Sequence, residues 1–266
     1  MLNPISSSYL SNAQSATFKS LQQLSTGLRV NSAADDPGAL SAIVSLSAQA
    51  TGLMQAAANA NSGVSLTDTA AGAVGQTGDT LQQMRELTVQ AGNGALNASD
   101  RQAIQSQISQ LGQQLDQVAG QTQFNGQNLL DGTFSSQIQT GANSGQTIPI
   151  AIGNMSSSAL GVASLDATTA AGSASALNAI DNALRSVTQQ QSQLGASSSR
   201  FSTAQNSATA AADNAVAARS RMADTDYAAA TASFAQNRIQ MQASLKALSL
   251  YNEIQKQQVS LEALNK

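Results

Sequence analysis

Residues 177–201 read LNAIDNALRSVTQQQSQLGASSSRF, and their spacing decides the fold. Leu177, Ile180, Leu184, Val187, Gln191, Leu194, Ser198 and Phe201 recur at intervals of three and four. Such a period marks one face of a helix, and a mean near 3.5 residues keeps that face against a neighbour running alongside it. The stripe continues in small residues, Ala208, Ala212 and Ala215. Small seam residues let backbones approach closely, which suits long helices better than a wide core.

Upstream lies a second long pattern, from Pro37 to about Gly92, with Leu53, Ala57, Ala60, Val64, Ala71, Val74, Leu81 and Met84 near a seven-residue repeat. Asp36 before Pro37 reads as an N-cap with proline at the first helical position. A helix of about 55 residues would span roughly 80 Å. Gly72, Gly75 and Gly78 weaken it, each by up to ~1 kcal/mol against alanine, so neighbours must hold that stretch. Ser99-Asp100-Arg101-Gln102 reads as a capping box opening a third helix, with a stripe at Ile104, Ile108, Leu111, Leu115 and Val118. The period then changes to two. Ile138 and Thr140, then Ile148, Ile150 and Ile152, alternate with polar neighbours around Gly141–Gly145, which predicts a β-hairpin at about 134–153. Residues 153–174 are rich in Ser, Ala and Gly and read as loop.

The two ends are different. The first helix carries Leu10, Ala13, Thr17, Leu21, Leu24 and Leu28 and ends near Gly27. The last, about 227–264, has two adjoining stripes: Phe234, Met241, Leu245 and Leu248, then Leu250, Ile254, Leu261 and Leu264. A helix apolar on more than one face wants more than one partner. Polar breaks at 31–37 and 219–226 separate both ends from the inner helices. The expected fold is therefore mainly α. It is an elongated antiparallel long-helix bundle or coiled coil with a small β-hairpin, plus paired N- and C-terminal helices. The inner stripes are ordinary core. The terminal stripes, at Leu10, Leu21, Leu24, Leu28, Phe234, Met241, Leu245, Leu248, Leu250, Ile254 and Leu261, are expected to be buried between copies of the chain.

Composition closes off most chemistry. The chain has 266 residues, with 41% hydrophobic, 3% aromatic and only 10% charged residues, and a net charge of -3. That balance supplies no basic footprint for nucleic acid or an acidic membrane. Cysteine and histidine are absent, which removes disulfides and the usual zinc, haem and thiol sites. No metal or cofactor is expected. Asp35-Asp36 is the only adjacent carboxylate pair, and Pro37 explains it as a cap. Asp224 and Asp226, near Arg219 and Arg221, are expected to form ion pairs or caps at a bend rather than a metal site. The chain is not expected to be an enzyme. Its first residues show neither a basic nor an apolar signal region, and no apolar run is long enough to cross a membrane.

Four separated motifs, in order, resemble those of bacterial flagellins. They are Leu24-Ser25-Thr26-Gly27-Leu28-Arg29-Val30-Asn31-Ser32-Ala33, followed by Asp35-Asp36; Met84-Arg85-Glu86-Leu87-Thr88-Val89-Gln90-Ala91; Gly120-Gln121-Thr122-Gln123-Phe124-Asn125-Gly126; and Ala218-Arg219-Ser220-Arg221 with Asp224-Thr225-Asp226-Tyr227. The resemblance implies a structural subunit that self-assembles into the flagellar filament for swimming. The alternative is a hook–filament junction protein. It implies that residues 1–35 and 226–266 form the inner filament core and 36–225 the outer layer. Arg85, Glu86, Leu87, Ile104, Ile108, Leu111 and Leu115 would then serve outer-bundle packing and inter-subunit contact, with Asp36, Pro37, Arg219, Arg221, Asp224 and Asp226 as caps and linkers. Implied partners are further copies of the chain, flagellar cap and hook-junction proteins, an export chaperone and the type III export apparatus, which would deliver it to the cell exterior. Larger family members insert outer domains where only 153–174 stands here. Members read by a vertebrate Toll-like receptor often carry arginine where Gln83 stands and glutamate where Gln107 stands. With both charges missing, strong Toll-like receptor recognition is not expected.

Overall fold

The computed structural model describes the backbone of residues 4–264 and the side chains of residues 8–260. Five helices and four short strands follow in the order α1 (Pro4–Thr26), α2 (Pro37–Ala91), α3 (Ala98–Gln121), β1 (Gln123–Phe124), β2 (Gln127–Asn128), β3 (Ser135–Gln139), β4 (Thr147–Ala151), α4 (Ala170–Ala223) and α5 (Tyr227–Leu264). The chain divides into two compact units, one made of the residues up to Ala50 together with those from Asp213 onward, the other of Thr51–Ala212.

Thr51–Ala212, the inner unit in chain order, is held by a seam of α2, α3 and α4. Its α4 face buries Ile180, Ala183, Val187, Leu194 and Phe201; α2 supplies Leu66, Ala70, Val74, Leu81 and Met84, and α3 Ile104, Ile108 and Leu115. Every second member of the quoted stripe is therefore core, while Gln191 is exposed and Gln190 takes the buried place beside it. Buried threonines thicken the seam without leaving their hydroxyls unpaired: Thr67, Thr77, Thr80 and Thr88 each donate to the carbonyl four residues back. Phe201 needs a hole in α2, and Gly63 provides it. A Cβ on Gly63 would lie 2.9 Å from the Phe201 ring.

β3 and β4 pair antiparallel, with Ile138 opposite Ile148 and Ser136 opposite Ile150. Ile148 and Ile150 face the core, so the period-two reading locates the apolar face. β1 and β2 form a second, two-residue ladder around Asn125 and Gly126, both at positive φ, as a tight primed hairpin turn requires.

Three expectations are corrected. The cap of α3 is Asn97, whose side chain accepts the Asp100 N–H at 2.9 Å, so Ser99 is already inside the helix. α4 begins at Ala170, within the stretch expected to be loop. It also runs to Ala223, placing Arg219 and Arg221 in its last turns rather than in a polar break. The residues before α4 are ordered by side chains of α3. Asp116 accepts both the N–H and the hydroxyl of Ser157, at 2.9 Å each, and Gln105 clamps the Leu165 carbonyl and Ala167 N–H at 2.8 and 2.7 Å. Leu160 and Val162 are buried beneath these clamps.

Candidate assembly surface

The terminal unit is built on α1 and α5. They run antiparallel: Leu28 bridges Asp224, and deeper in the pair Asn237 reaches Ala16 and Ser20. Their shared seam follows a strict heptad on α5, at Ala230, Phe234, Asn237, Met241, Ser244, Leu248 and Tyr251, all buried or half-buried. On α1 it follows Leu10, Ala13, Thr17, Ser20 and Leu24. Ser20, not Leu21, occupies the buried position. Leu21 lies on an adjoining face and is exposed, while Leu28, expected on α1, falls beyond its end at Thr26 in the joint and is exposed there.

The expected packing residues thus divide between two surfaces. Leu10, Leu24, Phe234, Met241 and Leu248 lie half-buried along the α1/α5 seam, whereas Leu21, Leu28, Leu245, Leu250 and Ile254 face outward. Leu261 lies outside the residues whose side chains are described. Tyr9, Phe18, Ile239 and Val259 add to the uncovered apolar surface, with Phe18 70% and Ile239 66% exposed. Single exposed leucines are ordinary, but two paired helices each carrying several large apolar side chains outside their seam are not. α5 has 38 residues against 23 in α1, so its C-terminal part runs on past its partner.

A joint pins the start of this pair. Gly27 ends α1 at φ +69°, a left-handed cap that favours glycine, and a Cβ there would lie 3.1 Å from the Tyr227 hydroxyl. The Arg29 N–H donates to the Ala223 carbonyl and its guanidinium to that of Met222, while the Thr225 N–H donates to Gly27. Asp36 caps α2 through the Ala39 N–H at 2.8 Å, with Pro37 in the first turn. Asp226 caps α5 by accepting the Ala228 and Ala229 N–H groups, and Asp224 accepts the Ser220 hydroxyl. Asp35 gathers the Asn31 and Ser32 N–H groups and pairs with Lys19 at 3.0 Å. These bonds hold its carboxyl below the usual carboxylate range, the Lys19 side chain first and the Asn31 N–H next.

In the inner unit Ile104, Ile108 and Leu115 are buried in the core, and Arg85 pairs with Asp181 at 2.8 Å. Glu86, Leu87 and Leu111 line an open groove of about 530 Å³ between α2 and α3. Gln83 and Gln107, where charge was noted as missing, line it too. Among the described residues no cluster of carboxylates could hold a metal, and no helix is long and apolar enough to cross a membrane.

Residues 1–135 match the model of the bacterial flagellin N-terminal helical region, and residues 177–261 that of the bacterial flagellin C-terminal helical region. The chain is 35% identical to "Flagellin" of Bacillus subtilis, over 92% of each chain. The chain belongs to the bacterial flagellin family. It is a structural subunit of the flagellar filament and not an enzyme. Another relative, the "Flagellar filament 33 kDa core protein" of Treponema phagedenis, is 33% identical over 95% of this chain and 94% of its own. Among solved structures, Bacillus cereus flagellin superposes with a TM-score of 0.52 at 27% identity, covering 57% of this chain and 88% of that one.

Membership in a structural family directs attention to surfaces. Sequence reasoning missed Ser20, Asn237 and Lys19, and gave Arg29 no role beyond its place in a motif. The heptad phase of Phe234, Met241 and Leu248 was available as a signal for Asn237, which stands between them at the same spacing.

Proposed function

We propose that the outward apolar faces of α1 and α5 are the surfaces by which this flagellin packs against other copies in the filament core. The carrying observation is that Phe18, Leu21, Ile239, Leu245, Leu250 and Ile254 are exposed in a single chain although each lies on a regular helix. A helical lattice satisfies them, and because the contact is heterologous and does not close, a tube grows. The residues between Asp36 and Thr225 then form the outer layer. The groove beside Glu86, Leu87 and Leu111 would lie on it, open to contact with a neighbouring subunit.

Export follows from the same reading. An α1/α5 pair with half of its seam in Ala, Ser, Thr and Met has a thin core, which suits passage through a narrow type III channel to the cell exterior with an export chaperone covering the apolar faces. Cap and hook-junction proteins would meet those faces at the two ends of the growing tube.

Seeded polymerisation of the full chain, read by electron microscopy, tests the proposal. Long tubes should grow from short fragments. A folded chain that never elongates would instead fit the junction adaptor, which ends a structure without propagating it.

A further inference from the structure

The sequence holds two Asn-Gly pairs, Asn93-Gly94 and Asn125-Gly126, and the fold treats them in opposite ways. An asparagine before glycine can lose its amide without an enzyme. The following backbone nitrogen attacks the side-chain carbon Cγ, and glycine has no Cβ to hinder it. Asn125 stands in the left-handed region at φ 50°, inside the two-residue turn between β1 and β2. In that conformation the next nitrogen points almost directly away from the side chain, and the ladder on both sides holds it there. Asn93 lies outside that region, in the exposed turn between α2 and α3. The Ala95 N–H donates to its Oδ1 at 3.1 Å, so a donor already sits on the oxygen that takes up negative charge during attack. Gly94 is not left-handed, and nothing lies within 4 Å of the place of a Cβ there. No neighbour blocks rotation of the peptide between the two residues, and the fold does not require glycine at 94. Rotation costs the Asn93 carbonyl its bonds from the Leu96 N–H at 3.2 Å and the Arg101 guanidinium at 2.9 Å, which water can replace at an exposed turn.

We propose that Asn93 is a site of spontaneous deamidation in this chain and that the hairpin turn protects Asn125 from the same reaction. The Gly94 nitrogen gives up its proton and bonds to Asn93 Cγ, the Cγ–Nδ2 bond breaks, and ammonia leaves with that proton. Water then opens the succinimide at either carbonyl, leaving an aspartate or an isoaspartate at position 93. Both products place a carboxylate near Arg101. Isoaspartate also routes the main chain through the side-chain methylene, which displaces the carbonyl that Arg101 holds. Because Arg101 also donates to the Ala91 carbonyl at the end of α2, at 3.0 Å, the change loosens the clamp between α2 and α3. Each subunit thus records its age at that turn.

The test incubates the full chain at mildly alkaline pH, which favours the deprotonated nitrogen. Conversion at both pairs is followed by tandem mass spectrometry, with isoaspartate labelled by its methyltransferase. In the folded chain Asn93 should convert about tenfold faster than Asn125 or more, and in denaturant the two rates should draw together. Gly94→Val should keep the circular dichroism of the wild type and slow conversion at Asn93 by about tenfold, because a β-branched side chain crowds the attacking nitrogen. Equal rates in the folded chain overturn the proposal, and so does wild-type conversion of Asn93 in Gly94→Val. A preference for Asn93 that persists unchanged in denaturant would show that the fold does not set it, and would overturn the protective role of the hairpin turn.

Discussion

Phe201 and Phe18 are the same residue on two helices of the same chain, yet one is fully enclosed and the other 70% exposed. Around Phe201 the chain supplies everything the ring needs, including a glycine on the facing helix. Around Phe18 it supplies one partner helix, and that helix covers the opposite side. The inner unit therefore encloses most of its large apolar side chains, with Met54 and Val89 left exposed, whereas the α1/α5 pair leaves many uncovered. The difference teaches where the function of a structural subunit lies, namely in regular, apolar surface that its own fold does not cover.

The largest effect should come from placing a charge on that surface. Leu245 is 47% exposed, so Leu245→Asp costs the single chain almost nothing. In a packed lattice the same carboxylate is buried without a partner, at a cost of several kcal/mol per contact. Filament yield should fall to background while unfolding of the inner unit is unchanged. A normal yield would break the comparison on α5.

Truncating the two phenylalanines sharpens it from both sides. Phe201→Ala should lower the stability of the inner unit by about 3–5 kcal/mol, seen in denaturant unfolding. Phe18→Ala should stay within about 0.5 kcal/mol of wild type by the same measure, and its effect should appear only in the critical concentration for growth. Equal losses of stability would show that Phe18 is covered within one chain after all.

Most of the inner unit was legible because its seam is written in large residues. Ile180, Val187, Leu194 and Phe201 stand seven apart and all are buried. The segment before α4 was not legible, because Asp116 and Gln105 order it from 41 to 62 residues away and look on α3 like ordinary solvent-facing side chains. The terminal helices were half legible. That they are apolar on several sides can be read directly, but which side pairs within the chain depends on the partner. Leu21 is the better apolar candidate, and Ser20 is buried because Asn237 meets it there.

Two glycines of α2 carry a smaller contrast. Gly63 lies under Phe201, where an added Cβ would come within 2.9 Å, while nothing lies within 4 Å of the corresponding point at Gly72. Gly63→Ala should destabilise the inner unit by about 1–3 kcal/mol through overpacking. Gly72→Ala should stabilise it by about 0.5–1 kcal/mol, since only the entropy of the unfolded chain changes. Opposite signs in paired unfolding curves are the expected outcome. The same sign at both positions would mean that the ring of Phe201 can move aside, and that the seam is looser than its burial implies.

The smallest effect concerns acid, and it again separates the two units. Asp35 is held below the ordinary carboxylate range by the Lys19 side chain first and the Asn31 N–H next, with desolvation opposing. A carboxyl with a lowered folded value binds its proton less well folded than unfolded. Its contribution is therefore full above the unfolded value near 3.9 and is lost as pH falls through the folded one. Acid should loosen the joint between α1 and α2, and protection factors for the Asn31 and Ser32 amides should fall over that range. Asp35→Asn should show the weakened protection already at neutral pH and a flatter acid response. In the inner unit Asp131 and Asp166 are lowered as well, by the Thr133 N–H and the Thr168 hydroxyl respectively, but these partners are two residues away in exposed turns. Their protonation frees only the turns, so amides around Leu81 and Leu194 should keep their protection through the same titration. Loss of protection there in step with Asn31 would show that the joint and the core open as one.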